Sequence, residues 1–132
     1  MNELFNIKDY VVVITGGTGI LGRTIAKYLA NNGAQVVILG RKEEVGKEIV
    51  DDIVKDGGKA EFMKTDVMDY AAVQKNCDDI IAKYGRIDTL LNAAGGNMAG
   101  ATITPDQTFF DLKVEEFQKV LNLNLTGTVI PT

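Results

Sequence analysis

The sequence predicts an α/β fold in which a parallel β-sheet is doubly wound, with helices on both faces. Short apolar runs alternate with segments of helical periodicity along all 132 residues, and no repeat or low-complexity linker interrupts them. Strands that alternate with helices are joined by right-handed crossovers, which place the strands parallel. Glycines cluster directly after the first apolar run, as in ligand-binding sheets of this class. We therefore expect one domain over residues 1–132.

The first half of the chain contains three predicted strands and two helices. Residues 11–15 form a continuous apolar run, which indicates a strand buried on both faces. Residues 19–31 carry an apolar stripe at helical spacing. Residues 35–39 form the second strand, and a helical pattern over residues 45–54 leads to a weaker third strand at residues 60–64. Element boundaries predicted in this way carry an error of roughly two to four residues.

The second half continues the alternation up to a long loop. Asp69 is a suitable N-cap for a third helix, and Cys77 lies on its apolar face, which predicts a packing role. Residues 87–91 form the fourth strand. A glycine-rich loop follows, and a final amphipathic helix begins near Asp111 or Val114. Helices after the first, second and third strands account for the double winding.

Composition and charge argue against several classes of binding partner. A net charge of −4 and a pI near 4.8 argue against a nucleic-acid partner. No stretch approaches the roughly 20 apolar residues of a membrane helix, and the first residues lack the pattern of a signal peptide, so we expect no membrane partner and a cytoplasmic location. With one cysteine and no histidine, we expect neither an internal disulfide nor a metal site. A small-molecule substrate remains the natural partner.

The glycines after the first strand predict a dinucleotide site. Gly17, Gly19 and Gly22 have the spacing G-x-G-x-x-G between a strand and a helix. Gly17 is expected to allow a tight turn, Gly19 to let the backbone approach a pyrophosphate, and Gly22 to bring the helix close to the strand. A structural turn alone needs fewer glycines. The predicted cofactor-binding residues here are Gly16, Gly17, Thr18, Gly19, Ile20, Leu21 and Gly22.

The end of the second strand favours NADP(H) over NAD(H). NAD sites usually carry an acidic residue at this point for the ribose hydroxyls. Gly40 stands there instead, and Arg41 follows it. The planar guanidinium of arginine suits a 2′-phosphate. The alternative is that Arg41 is a solvated residue before the next helix.

Four motifs in order give the chain a family resemblance. They are Thr15-Gly16-Gly17, Asp66-Val67, Asn92-Ala93-Ala94-Gly95 and the stretch Asn-Leu-Asn-Leu-Thr-Gly at residues 122–127. With these motifs the chain resembles the short-chain dehydrogenase/reductase family over essentially its whole length. The resemblance implies a Rossmann-like nucleotide-binding domain and an NAD(P)-dependent oxidoreductase, which transfers a hydride between the nicotinamide and a carbonyl or secondary alcohol.

The resemblance also assigns roles to individual residues. It implies that Asp66 and Val67 hold the adenine ring. It implies that Asn92, Ala93, Ala94 and Gly95 line the cofactor and support the sheet, although Ala93 replaces the asparagine usual in the family. Asn124 matches the asparagine of the family's catalytic tetrad, which steadies a proton-relay water through its backbone. The glycine spacing at positions 16, 19 and 22 is closer to the family's extended branch.

The long loop and the motifs around it look most like sugar-acid members of the family, the D-mannonate oxidoreductases or fructuronate reductases. The family's Tyr-x-x-x-Lys pair is absent, because Tyr10, Tyr28, Tyr70 and Tyr84 have no lysine four residues later. The resemblance therefore implies the amino-terminal part of a longer oxidoreductase, with a sheet that stops after four strands and no turnover by the chain alone. It also implies a homo-oligomer, dimer or tetramer, formed through the carboxyl-terminal helix.

Two other functions stay open at this point. A non-catalytic NADP-binding sensor of the same superfamily would share the glycine loop and Arg41. A methyltransferase would need an acidic residue where Gly40 stands, so the sequence favours it least.

Overall fold

The computed structural model describes residues 3–132. Its four strands are β1 (Val11–Thr15), β2 (Gln35–Gly40), β3 (Lys59–Lys64) and β4 (Thr89–Asn92). The helices are α1 (Ile20–Asn31), α2 (Glu43–Lys55), α3 (Tyr70–Tyr84), α4 (Val114–Leu121) and the short α5 (Gly127–Val129). A π-helical segment, Asn122–Thr126, joins α4 to α5, and single 3₁₀ turns lie at Glu3–Phe5, Ala99–Ala101 and Phe109–Asp111.

All four strands run parallel in one sheet, in the order β3-β2-β1-β4. Thr15 pairs with Leu39 on one side and with Asn92 on the other, and Gly40 pairs with Lys64. The carboxyl ends of the strands therefore meet at one edge of the sheet. This arrangement confirms the predicted Rossmann-like α/β fold.

The two faces of the sheet are covered by different helices. Because side chains alternate along a strand, each strand contributes to both cores. One core joins β1 and β2 to α1 and α2, through Val12, Ile14, Val36, Ile38, Ala26, Ala30, Ile49 and Ile53. The other joins the same strands to α3, through Val11, Val13, Val37, Leu39 and Ile80. The apolar runs are thus continuous because both of their faces are buried.

The observed element boundaries lie within two residues of the predicted strands. β4 begins at Thr89 and not at residue 87. The N–H of Asp88 donates to the oxygen of Val11, and the N–H of Val11 donates to the Asp88 carboxylate, so this side chain replaces a backbone partner at the start of the strand. The final helix begins at Val114, since the turn at Phe109–Asp111 is closed separately by a capping box between Thr108 and Asp111. The second of the two predicted helix starts is therefore the observed one.

The third helix confirms one sequence prediction and overturns another. Asp69 caps α3, because its Oδ1 accepts a hydrogen bond from the N–H of Ala72 at 3.1 Å. Cys77 does not lie in the core; it is exposed. The buried face of α3 is centred on Asn76 and Ile80, and the next residue along a helix is rotated by about 100° from that face.

No helix within residues 3–132 has the length and apolar character needed to cross a bilayer.

Candidate nucleotide-binding site

A cavity of about 210 Å³ opens at the carboxyl ends of the strands. The segments that follow all four strands contribute to it, as expected for ligand sites in open parallel sheets. From the predicted site it brings together Gly16, Thr18, Gly19, Arg41, Asp66, Val67, Ala93, Ala94 and Gly95, with Leu123 beside them. A larger groove of about 380 Å³ lies between α1 and α2. That groove lies on the helical face and receives no strand end, so we place the site at the first cavity.

The tight turn after β1 is made at Gly16 and not at Gly17. Gly16 has φ = 64°, in the left-handed region that favours glycine. A Cβ there would also lie 2.7 Å from the backbone of Ala93 and Ala94, so two loops approach as closely as they do because residue 16 is glycine. Gly17 instead packs on β2, where its Cβ would lie 2.6 Å from Cγ2 of Ile38.

Gly22 and Gly19 differ in how much room there is for a side chain. A Cβ at Gly22 would lie 2.5 Å from the backbone oxygen of Gly16, so the first turn of α1 packs directly on the loop. A Cβ at Gly19 would have a single neighbour within 4 Å, the same oxygen at 3.3 Å. Gly19 is exposed and lines the cavity. Ile20 and Leu21 are exposed at the start of α1 and do not line the cavity.

The first turn of α1, which follows the cavity-lining Gly19, has no negative side chain to offset its partial positive charge. Gly19 is the N-cap of this helix and provides no side-chain cap, and no acidic residue lies in the first turn. The N-terminal N–H groups of a helix carry a partial positive charge that favours anions.

A buried threonine ties the loop after β4 to the end of β1. The hydroxyl oxygen of Thr15 accepts hydrogen bonds from the N–H groups of Ala93 and Ala94, both at 3.2 Å. Thr15 has no exposed surface. These two hydrogen bonds therefore fix the position of the loop after β4 relative to the end of β1.

The wall after β3 is held by a polar pair that sequence reasoning missed. Asn76, on the buried face of α3, donates a side-chain hydrogen bond to the hydroxyl of Thr65, and the N–H of Thr65 donates to the oxygen of Gly40 at 2.8 Å. The Asp66 carboxylate accepts from the N–H of Met68 at 2.9 Å, and Val67 is buried. The sequence carried one signal for this pair, because Asn76 is a polar residue at a core position in the helical stripe of α3.

Asn124 lies in the π-helical segment and does not line the cavity. Its side-chain amide donates to the oxygens of Gly96 at 2.7 Å and Val120 at 2.8 Å, and its Oδ1 accepts from the N–H of Gly96 at 3.2 Å. Gly95 comes close to the same side chain, since a Cβ there would lie 2.7 Å from Oδ1. Asn124 therefore fixes the first residues of the long loop.

Asn92, the last residue of β4, is also outside the cavity. Its amide donates to the hydroxyl of Thr132 at 3.1 Å, whereas its Oδ1 is buried without a hydrogen-bond partner among the described residues. The side chain thus belongs to the outer edge of the sheet. In residues 3–132 no group of three or more Asp, Glu, Cys or His side chains is placed to bind a metal.

Comparisons with known proteins agree with this geometry. A sequence model of the family described as short chain dehydrogenase matches residues 10–132. A Bacillus subtilis protein named as an uncharacterized oxidoreductase, UxuB, is 35% identical over 133 residues, which cover 95% of this chain and 48% of that protein. The chain thus spans about half the length of the curated relatives it matches.

Two solved structures share the fold closely. A Haemophilus influenzae protein provisionally named a D-mannonate oxidoreductase, with bound NAD, superposes with a TM-score of 0.87 at 32% identity, over 96% of this chain and 49% of that one. A variant of actinorhodin polyketide ketoreductase with NADPH gives a TM-score of 0.81 at 27% identity, over 93% of this chain and 44% of that one. Family match, sequence relatives and fold agree, and the chain belongs to the short-chain dehydrogenase family.

Proposed function

We propose that this chain is the nucleotide-binding part of an oxidoreductase that transfers a hydride between a nicotinamide cofactor and a carbonyl or secondary alcohol. The observation that carries the proposal is the cavity where the segments after all four parallel strands converge around a glycine loop. The family match supports the reaction class. When bound, the nicotinamide supplies or accepts the hydride at its C4.

The residues at the cavity fit a dinucleotide. Gly19 leaves open the space beside the first turn of α1, and that turn has neither a side-chain cap nor an acidic residue. A pyrophosphate placed there would meet backbone N–H groups and the positive end of the helix. Asp66, Val67 and the residues from Ala93 to Gly95 line the same cavity, and the proposed position of the adenine is beside Asp66 and Val67.

The chain's own residues bind and orient the cofactor but do not complete the proton transfer. Asn124 holds Gly96 and thereby positions the loop that borders the nicotinamide side of the proposed site. None of the four tyrosines has a lysine four residues later. We expect the 132 residues alone to bind nucleotide without turnover, since the alkoxide formed by hydride transfer has no proton donor.

We further propose a preference for NADP(H) and a sugar-acid substrate. Arg41 at the cavity rim and the lack of an acid at Gly40 favour NADP(H). A sugar acid of the D-mannonate or fructuronate type is proposed because the long loop and its flanking motifs resemble sugar-acid members of the family, and the Haemophilus protein named for D-mannonate supports the first of these. A full-length protein that contains this chain should reduce fructuronate with NADPH; a spectrophotometric assay that finds no oxidation of NADPH or NADH with fructuronate would refute this substrate.

The glycine loop provides the direct test of nucleotide binding. Gly19→Val should abolish binding, because the added side chain enters the space proposed for the pyrophosphate. The fold should persist, since the backbone at Gly19 is extended (φ −75°, ψ 171°) and its Cβ would have one neighbour within 4 Å. Nucleotide titration and circular dichroism on the same sample measure both properties.

Gly22→Ala is the matched control for this test. Its Cβ would lie 2.5 Å from a backbone oxygen, so this variant should lose thermal stability as well as binding. Unchanged nucleotide affinity in Gly19→Val would refute the proposed site.

A further inference from the structure

The end of β2 is covered by a side chain from the glycine loop. Gly40 is buried, and a Cβ added to it would lie 2.8 Å from Cγ2 and 2.9 Å from Oγ1 of Thr18. Such approaches are closer than real Cβ atoms make. The Cβ of Thr18 itself would be 3.4 Å away, which is ordinary contact. The two branches of Thr18 therefore occupy the room that any side chain at position 40 would need.

Thr18 and Arg41 have polar groups to offer a ligand at this rim. Both residues line the cavity, as does Gly40. Across the described part of the chain, neither the Thr18 hydroxyl nor the Arg41 guanidinium has a hydrogen-bond or ion-pair partner. A hydroxyl and a guanidinium complement a phosphate, whereas a carboxylate at position 40 would accept hydrogen bonds from ribose hydroxyls and repel a phosphate.

The geometry points to Thr18 and Gly40 as a coupled pair of positions that sets nucleotide selectivity. This inference rests on the proposed function and assigns Thr18 a specificity-determining role in it. While threonine occupies position 18, glycine alone fits position 40 without displacement. The end of β2, where a carboxylate would bind the ribose hydroxyls of NADH, therefore carries no carboxylate. An acidic residue at position 40 therefore creates an NADH site only when residue 18 is made smaller.

Nucleotide titration of three variants tests the coupling. The variants are Gly40→Asp alone, Gly40→Asp with Thr18→Ala, and Gly40→Asp with Thr18→Val. Alanine removes both branches of Thr18, whereas valine keeps both and removes the hydroxyl. We expect Gly40→Asp alone and the valine combination to bind both nucleotides more weakly than the native protein. The alanine combination should shift the NADPH-to-NADH affinity ratio at least about 10-fold toward NADH. An equal shift in Gly40→Asp alone, or in the valine combination, would overturn the inference.

Thermal unfolding without nucleotide tests the same contact independently. Gly40→Ala should lower the melting temperature by about 3 to 8 °C, because overpacking a filled site destabilises the fold. Most of this loss should disappear when Gly40→Ala is combined with Thr18→Ala. An equal loss in both backgrounds would overturn the coupling while leaving the proposed function intact. If the native protein binds neither nucleotide, the proposed function fails, and the selectivity role fails with it.

Discussion

At the residue scale, Arg41 carries the proposed preference for NADP(H). Arg41→Ala should raise the dissociation constant for NADPH by roughly 10-fold or more, since a charge-assisted bond to a phosphate contributes roughly 1.5–3 kcal/mol. The affinity for NADH should barely change, because NADH has no 2′-phosphate. Titration of both nucleotides against the native and variant proteins measures the two effects.

Lys47 offers a control of equal charge. It lies on α2 and is already paired with Glu43, so Lys47→Ala changes the net charge by the same amount away from the cavity. NADPH affinity should be almost unchanged in this variant. Equal losses for NADPH and NADH in Arg41→Ala, or tighter binding of NADH by the native protein, would contradict the preference.

Some features of single residues can be predicted from the sequence, and others cannot. The glycine-rich segment is evident from spacing alone, yet the spacing does not tell which of two adjacent glycines takes the positive φ. Gly16 does so because it abuts Ala93 and Ala94, which are distant in sequence. The pairing of Asn76 with Thr65 is hidden for the same reason, since it depends on how α3 packs against the end of β3.

At the scale of elements, one carboxylate adds a hydrogen bond to the backbone pairing of β1 with β4. Asp88 accepts a hydrogen bond from the N–H of Val11 at 2.8 Å and from Nε of Arg86 at 2.8 Å. The Arg86 guanidinium, with the Val11 amide, holds the pKa of Asp88 below its usual value. Asp88→Asn should therefore lower the melting temperature at pH 7 by a few degrees, which thermal unfolding measures.

The stabilisation that the Asp88 carboxylate provides depends on pH. A carboxyl group whose pKa is lower in the folded state stabilises the fold above its unfolded pKa, about 3.9, and loses that contribution as the pH falls through the folded value. The difference between native protein and Asp88→Asn should shrink below about pH 4. Asp79→Asn is the control, because its pair with Lys75 is exposed on one helix and such pairs contribute little. A difference that stays constant down to pH 2 would rule out the ionic contribution.

Element types followed from the sequence more readily than local irregularities. Both core faces of β1 and β2 are apolar, so continuous apolar runs located these two strands to within one residue. The π-helical segment could not be anticipated, because it accompanies bonds from Asn124 to a loop residue 28 positions earlier. A helical pattern in sequence reports which face is apolar and carries no information about such a partner.

At the scale of the whole molecule, the carboxyl-terminal helical region exposes an apolar face. Its exposed side chains recur at intervals of three or four residues and comprise Val114, Phe117, Leu121, Leu125 and Val129. Contiguous apolar surface of this kind marks an association site. We expect a homo-oligomer, dimer or tetramer, formed through this face, and light scattering at several concentrations measures its mass.

Lysine substitutions on this face and elsewhere on the surface test whether this face forms the oligomer. Leu121→Lys should shift the protein toward the monomer. Val54→Lys, at an exposed apolar position on α2, should not change the measured mass. A native protein that stays monomeric at all concentrations and binds little apolar dye would contradict the expected assembly.

The hydrogen bonds between Asn124 and Gly96 mark the boundary between two parts of the chain. Upstream of Gly96, Thr15 and Gly16 hold the cavity wall through backbone groups of Ala93 and Ala94. Downstream, residues 97–113 run over the surface until the N–H of Lys113 bonds back to the oxygen of Gly100. We expect insertions or deletions between these two anchors to leave nucleotide affinity unchanged, which nucleotide titration measures. We propose that changes in this loop alter substrate specificity without altering the proposed nucleotide site.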